Sequence, residues 1–171
     1  GPTTLNSGEV TEYKGISLTP SDSLPENSIK GVQHISLDQY TLSVSGEVEN
    51  PLTLQYEDVL EFTHYEKLVT LHCVEGWEAD ILWEGVLIPE ILAEAGVNPE
   101  GVTVIFHAYD GYTTSLPLAT IEEKQILLAY QSNKRRLPPE LGFPFIVVAE
   151  DKLGYKWARW VTEIEVSADA D

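Results

Sequence analysis

Apolar residues in this chain recur in short runs of strand length, each ended by a turn signal, and that spacing is what most limits the fold. Residues 40–45 alternate, with Tyr40, Leu42 and Val44 on one face, as a half-buried strand requires. Residues 46–51 form a turn between Gly46 and Pro51. Residues 67–72 read as a strand running into Cys73. Residues 102–108 read as a strand rich in β-branched and aromatic side chains, followed by the turn signal Asp110-Gly111. Residues 126–130 and 145–149 are apolar runs of buried-strand length. Residues 157–166 alternate, with Trp160, Thr162, Ile164 and Val166 facing one way and Arg159, Glu163 and Glu165 the other. Helical signals are few. They are residues 55–62, residues 89–95 with Pro89 in the first turn and Gly96 at the end, and one helical turn at Thr120, where Glu123 completes a capping-box pattern. The sum is a strand-dominated α+β domain with a few short helices.

The 171 residues suit one domain, or one compact unit with a small annex. Hydrophobic residues make up 43% of the chain, enough for a packed core, yet no run approaches the ~18 apolar residues of a membrane span. The formal net charge of -18 argues against DNA or RNA as a partner, because phosphate backbones require basic faces. Its ordinary consequence is solubility and colloidal repulsion. Six of the ten basic residues (Lys134, Arg135, Arg136, Lys152, Lys156 and Arg159) follow position 130. They are either scattered over the surface or gathered for a local anion. Residues 3–37 are polar and interrupted by Gly15, Pro20, Pro25 and Gly31, the pattern of an extended arm lying over a core. Methionine is absent, the initiator included. The sequence therefore reads as that of a processed chain, a trimmed one, or both, with Gly1-Pro2 as a tag-cleavage remnant.

Cys73 is the only cysteine. It cannot form an internal disulfide, and one thiol does not build a structural zinc site. His72 beside it points to the opposite face of a strand. His34, His64 and His107 have no spacing that predicts a metal pair. A cysteine nucleophile would need a base such as His64 or His107 brought near by the fold; an inert buried thiol would need nothing. The residues after Cys73 add a third reading. Gly76 permits a tight bend or a close backbone approach to something bound. Glu75 can face the same cavity as the thiol and there relay protons or hold water.

Two further loops share this ambiguity. Asp110-Gly111-Tyr112 ends a strand, either as a β-turn with a packed tyrosine or as part of a site. Lys152-Leu153-Gly154-Tyr155-Lys156-Trp157, followed by Arg159-Trp160, sets a glycine among cations and aromatics. That arrangement suits a phosphate or a flat heterocycle, and equally a hairpin turn with solvated lysines.

Several segments stand in one order: Tyr40 to Gly46 with Pro51; Thr70-Leu71-His72-Cys73-Val74-Glu75-Gly76-Trp77; Trp83-Glu84-Gly85-Val86; Asp110-Gly111-Tyr112-Thr113-Thr114-Ser115-Leu116; Leu127-Leu128-Ala129-Tyr130; Gly142-Phe143-Pro144-Phe145; and Gly154-Tyr155-Lys156-Trp157 through Trp160-Val161. Together with Glu26-Asn27-Ser28-Ile29-Lys30-Gly31 upstream, this set resembles the sulfite oxidase superfamily of molybdopterin-dependent oxidoreductases, in particular its small exported bacterial and archaeal members. The resemblance covers residues 12–166. It implies that Cys73 is the thiolate ligand of the metal, the other sulfur ligands coming from the pterin dithiolene, so that one cysteine suffices. It implies that Glu75 is a carboxylate near the metal, as in the protein-methionine-sulfoxide reductase branch, and that Tyr112 shapes the substrate side. Gly154, Tyr155 and Lys156 match cofactor-pocket positions near the pterin phosphate, and Asn27 matches a pterin contact from the arm. The implied cofactor is molybdopterin with molybdenum, or with tungsten in its place.

The departures narrow the chemistry. Sulfite-oxidising members carry an arginine soon after the ligand cysteine; here the stretch is Val74-Glu75-Gly76-Trp77-Glu78. The family's G-x-P-x-R also lacks its arginine, since Ile146 follows Phe145. Glu75 and Glu78 would repel sulfite. The expected fold is therefore α+β, a strand-rich, mixed-sheet or barrel-like core of the sulfite oxidase molybdopterin-binding type. Residues 1–37 form the arm, 38–167 the molybdopterin-binding oxidoreductase domain and 168–171 a tail. The expected activity is two-electron oxo-transfer, reducing an S-oxide or N-oxide in preference to oxidising sulfite. The substrate is a small-molecule or protein-bound oxo-donor or acceptor. Electrons come from a separate partner, because no haem or flavin signature is present, and the setting is extracytoplasmic with a signal peptide removed. The competing expectation is a cofactor-free binding or structural module that keeps the fold and a relict cysteine.

Overall fold

The computed structural model describes residues 8–25, 28 and 30–170. The arm carries a short ribbon, β1 (Glu12–Tyr13) with β2 (Ile16–Ser17). Then follow β3 (Leu42–Gly46), β4 (Leu52–Leu54) and α1 (Tyr56–Leu60). A long hairpin of β5 (Tyr65–His72) and β6 (Glu78–Leu87) leads into α2 (Ile88–Ala95). β7 (Thr103–Ala108), β8 (Thr113–Pro117) and α3 (Leu118–Lys124) come next. The chain closes with β9 (Leu127–Ser132), β10 (Arg135–Arg136), β11 (Ile146–Val148) and β12 (Val161–Ser167).

Two five-stranded sheets share one core. The first runs β10-β9-β6-β5, with β11 also paired to β9; the second runs β4-β3-β12-β7-β8. β12 lies parallel to β3 while the other named pairs are antiparallel, so the second sheet is mixed. Leu42, Val44, Phe106, Ile164 and Val166 from the second sheet pack in the same cluster as Ile81, Trp83, Leu127, Ile146 and Val148 from the first. Each such side chain contributes roughly 1.5–3 kcal/mol by leaving water. The alternation of residues 40–45 is realised, although β3 starts only at Leu42. Tyr40 is still buried, and its hydroxyl donates to the Val161 carbonyl at 2.5 Å.

The helices obey their local signals with one exception. α1 is closed by a capping box between Gln55 and Asp58. α2 has a proline in its first turn and Gly96 at its C-cap. α3 starts at Leu118, after Pro117. The Thr120–Glu123 pattern therefore lies inside the helix and caps nothing, because the proline already sets the chain direction one residue before the helix begins.

β12 is shorter than its alternation predicts. The preceding Gly154–Lys156 segment is a 3-10 turn, and a register shift falls between Val161 and Glu163. Beyond the shift the pattern holds, with Ile164 and Val166 buried. At the shift Val161 is buried and Thr162 is half-exposed, the reverse of simple alternation. The arm is tied to the first sheet: Val10 N–H donates to the Asn133 carbonyl at 2.9 Å, and Thr19 N–H to the Asp80 carbonyl at 2.8 Å. No helix among the described residues is long and apolar enough to cross a membrane.

Candidate functional site

The turn of the β5–β6 hairpin carries the lone thiol. Cys73 N–H donates to the Trp77 carbonyl at 2.9 Å, and Gly76 N–H donates to the Cys73 carbonyl at 3.0 Å. Gly76 sits at φ 100°, in the left-handed region that only glycine enters without steric cost. This tight closure leaves the side chains of the turn directed away from the ladder. Cys73 is half-buried and Glu75 exposed. Glu75 Oε1 lies 3.9 Å from Cys73 Sγ and accepts a hydrogen bond from Trp77 Nε1 at 3.3 Å.

A cleft of about 230 Å³ opens beside the turn. Cys73, Val74 and Trp77 line it from the hairpin, Asp110 and Tyr112 from the β7–β8 loop, and Gly154, Tyr155, Trp157, Arg159 and Trp160 from the segment before β12; Ser28 reaches it from the arm. Three contacts bring these loops together. His72 bridges to Leu153, so the chain after β5 lies against the chain after β11. Tyr112 Oη donates to the Tyr155 carbonyl at 2.5 Å, and Tyr109 N–H donates to the Trp160 carbonyl at 2.8 Å. Asp110, itself buried, accepts from Tyr112 N–H at 3.1 Å, the local bond that shapes an Asx turn. Burial pushes the Tyr112 phenol above its ordinary value, so it stays a neutral donor at physiological pH.

Arg159 lines the cleft, in line with the phosphate-type reading of its segment and against its place in the strand alternation. Alternation placed it on the outer face of a strand with Glu163 and Glu165. The backbone instead turns at Trp160, which holds φ 48°, an uncommon value for a bulky side chain. The surroundings enforce that conformation. Trp160 N–H donates to the Gly142 carbonyl at 3.1 Å and its Nε1 to the Pro139 carbonyl at 2.9 Å. Gly142 permits the approach, because a Cβ there would come within 2.8 Å of Arg159 Cβ. The available signal was the placement of one cation between Trp157 and Trp160, whose bulk marks a buried segment.

Of the residues expected to act together, Cys73, Tyr112, Gly154 and Tyr155 line the one cleft. Glu75 stands on the same turn, exposed beside the thiol. Lys156 does not line the cleft; its Nζ donates to the Ser115 carbonyl at 2.8 Å and lies 5.8 Å from the centre of the Tyr155 ring. Asn27 lies outside the described residues. The two histidines considered as bases for a cysteine nucleophile are engaged elsewhere. His64 contacts Tyr130 Oη at 2.9 Å and Glu84 at 2.7 Å, and His107 contacts Glu165 at 2.8 Å. Neither lines the cleft.

The donor set fits a pterin-borne metal. It offers one soft thiol at the cleft surface, a guanidinium suited to a phosphate, and aromatic planes suited to a heterocycle. The loops of both sheets thus meet at one cleft with the chemistry of a cofactor pocket. The family described as the oxidoreductase molybdopterin binding domain matches residues 29–171, and the chain belongs to that family. It is 39% identical to the uncharacterized oxidoreductase YuiH of Bacillus subtilis, over 78% of this chain and 68% of that protein. It is 27% identical to the protein-methionine-sulfoxide reductase catalytic subunit MsrP of Campylobacter jejuni, over 80% of this chain and 52% of that protein. Human mitochondrial sulfite oxidase is 28% identical, over 89% of this chain and 33% of its own length. The chain thus spans about half of MsrP and a third of sulfite oxidase. In fold it is similar to the sulfane dehydrogenase SoxCD of Paracoccus pantotrophus, with a TM-score of 0.81 and 24% identity over 98% of this chain and 49% of that one. The sulfite oxidase type of α+β fold read from the ordered motifs is the fold observed.

Proposed function

We propose that this domain holds molybdopterin with molybdenum bound by Cys73, and that it reduces an S-oxide or N-oxide rather than oxidising sulfite. The observation that carries this reading is the carboxylate of Glu75, 3.9 Å from Cys73 Sγ, where sulfite-oxidising members place an arginine close behind the ligand cysteine. A unit negative charge about 5 Å from that carboxylate meets roughly 1–3 kcal/mol of repulsion, depending on local screening. That is enough to disfavour an anionic substrate by one or two orders of magnitude, while a neutral oxide is unaffected.

The bound group supplies the two-electron oxo-transfer chemistry; the chain's own residues orient, shield and protonate. Cys73 holds the metal. Glu75, exposed and weakly hydrogen-bonded beside the thiol, would relay a proton or anchor a water on the substrate side. Tyr112, tied to the Tyr155 carbonyl, keeps the substrate side rigid. Gly154 and Tyr155 line the cofactor side, with Arg159 as the cation for the pterin phosphate. Lys156 joins the 154–156 turn to β8 through Ser115. Electrons arrive from a separate partner, in keeping with the naming of the Campylobacter relative as a catalytic subunit. The setting is extracytoplasmic, as in the exported members the sequence resembles.

The test is a steady-state comparison on cofactor-loaded protein with an artificial electron donor or acceptor. kcat/KM for a dialkyl or methionine S-oxide should exceed that for sulfite oxidation by about 10- to 100-fold, the size of the charge effect. Preference for sulfite would overturn the substrate assignment. Protein from a cofactor-competent host that carries neither metal nor pterin would instead support a cofactor-free module.

A further inference from the structure

Three side chains that have no part in the Cys73 cleft meet on the outward face of the second sheet. His107 on β7 lies directly opposite Glu163 on β12, and Glu165 projects from the same face two residues on. One ligand atom from each falls within 4.8 Å of the other two. His107 Nε2 is 2.8 Å from Glu165 Oε1 and 4.0 Å from Glu163 Oε1. Tetrahedral zinc with bonds of ~2.1 Å holds its ligands ~3.4 Å apart, so these two separations bracket the required one and small rotations of the carboxylates reach it.

Three further observations favour an ion over a simple ion pair. Ser45 Oγ donates to Glu163 Oε2 at 2.6 Å. That bond holds the carboxylate with its other oxygen toward His107, as outer hydrogen bonds orient metal ligands. The cross-strand neighbours of the trio are Ser43, Ser45, Ile105 and Thr113. None is a cation, so two carboxylates share a single imidazole in a chain of net charge -18. The side chains are 32–37% exposed, open to an ion from solvent.

We infer that His107, Glu163 and Glu165 bind one first-row divalent cation of the zinc type, clipping β7 to β12 with water completing the coordination. Imidazole with carboxylate favours such a metal over calcium or magnesium, which take oxygen ligands. The sequence alone gave no hint of it, because its ligands lie 56 and 58 residues apart and come together only through strand pairing.

The test is calorimetric titration of zinc into the full, cofactor-loaded chain after mild chelation, repeated on the Cys73→Ser chain. The expected result is one saturable site per chain that survives Cys73→Ser. Glu163→Gln and His107→Gln, each with unchanged circular dichroism, are expected to weaken it at least ~10-fold, and Ser45→Ala to weaken it measurably through the orienting bond. Absence of saturable binding, loss of binding in Cys73→Ser, or unchanged binding in Glu163→Gln would each overturn the assignment and leave His107 and Glu165 as an ion pair only.

Discussion

The two ends of the β5–β6 hairpin carry the same residue type in opposite circumstances. At the turn, Glu75 is exposed, and its recorded contacts are long, 3.9 Å to Cys73 Sγ and 3.3 Å to Trp77 Nε1. At the far end, Glu84 is 4% exposed and accepts from His64 Nε2 at 2.7 Å and Lys134 Nζ at 3.4 Å, while His64 continues to Tyr130. Its Oε1 is buried without a hydrogen-bond partner among the described residues. Both glutamates lie in segments of the ordered motifs, yet only Glu75 stands beside the cleft thiol. A buried carboxylate joined to His64 and Lys134 serves the architecture, because removing one member leaves the others without that partner. An exposed one on the turn beside the cleft is the one proposed to relay protons.

The sharpest way to break this contrast is at the thiol beside Glu75. Cys73→Ser should lower oxide-reductase turnover by at least ~10³-fold, about 4 kcal/mol of barrier, while thermal unfolding stays near wild type. A variant that keeps turnover would remove Cys73 from the site. Glu75→Gln should reduce kcat/KM by about 10²-fold and alter the pH profile, with stability changed by less than ~0.5 kcal/mol. Stability loss without rate loss would move Glu75 into the architectural class.

Glu84→Ala should do the reverse. It takes the buried carboxylate away from His64 and Lys134, which keep Tyr130 and Glu66 as partners, and destabilises the fold by about 1 kcal/mol, seen as a fall of roughly 2–4 °C in Tm, with turnover per folded molecule little changed. The smallest effect belongs to Glu66 on the same hairpin. Its hydrogen bonds from Lys134 and Tyr13 hold its carboxyl below the ordinary value. Because the folded value is depressed, the stabilisation is present above the unfolded value of about 4.3 and fades as pH falls through the folded one. Solvent screening limits it to less than ~0.5 kcal/mol. Thermal scans of wild type and Glu66→Gln should therefore differ slightly at pH 7 and converge near pH 3; a gap that widened on acidification would contradict the pairing.

Local pattern made much of the molecule legible before any coordinates. The strands around Leu42, Phe106 and Ile164 alternate because one face of each meets the core. α2 is bracketed by a proline and a glycine whose backbone preferences are local. β6 was legible only as motif text, because it is buried from Ile81 to Leu87 and interrupts its apolar residues with Glu84 and Gly85, so no two-residue period shows. Arg159 was misplaced for a different reason. Periodicity assumes a regular backbone, and the turn at Trp160 depends on contacts with Gly142 and Pro139 that lie far away in sequence. At the site, Cys73 was marked by its uniqueness and Tyr112 by its loop. The meeting of Cys73 with Gly154 rests on the His72–Leu153 bridge, which no local pattern encodes. The cluster of His107 with Glu163 and Glu165 has the same origin in strand register.

The central claim is that one protein thiolate, Cys73, completes the sulfur coordination of a pterin-bound metal. X-ray absorption at the metal edge, on cofactor-loaded wild type and Cys73→Ser, tests it most directly. The variant should show one fewer sulfur scatterer, with the pterin retained. Equal sulfur counts in the two proteins would show that Cys73 is not the ligand.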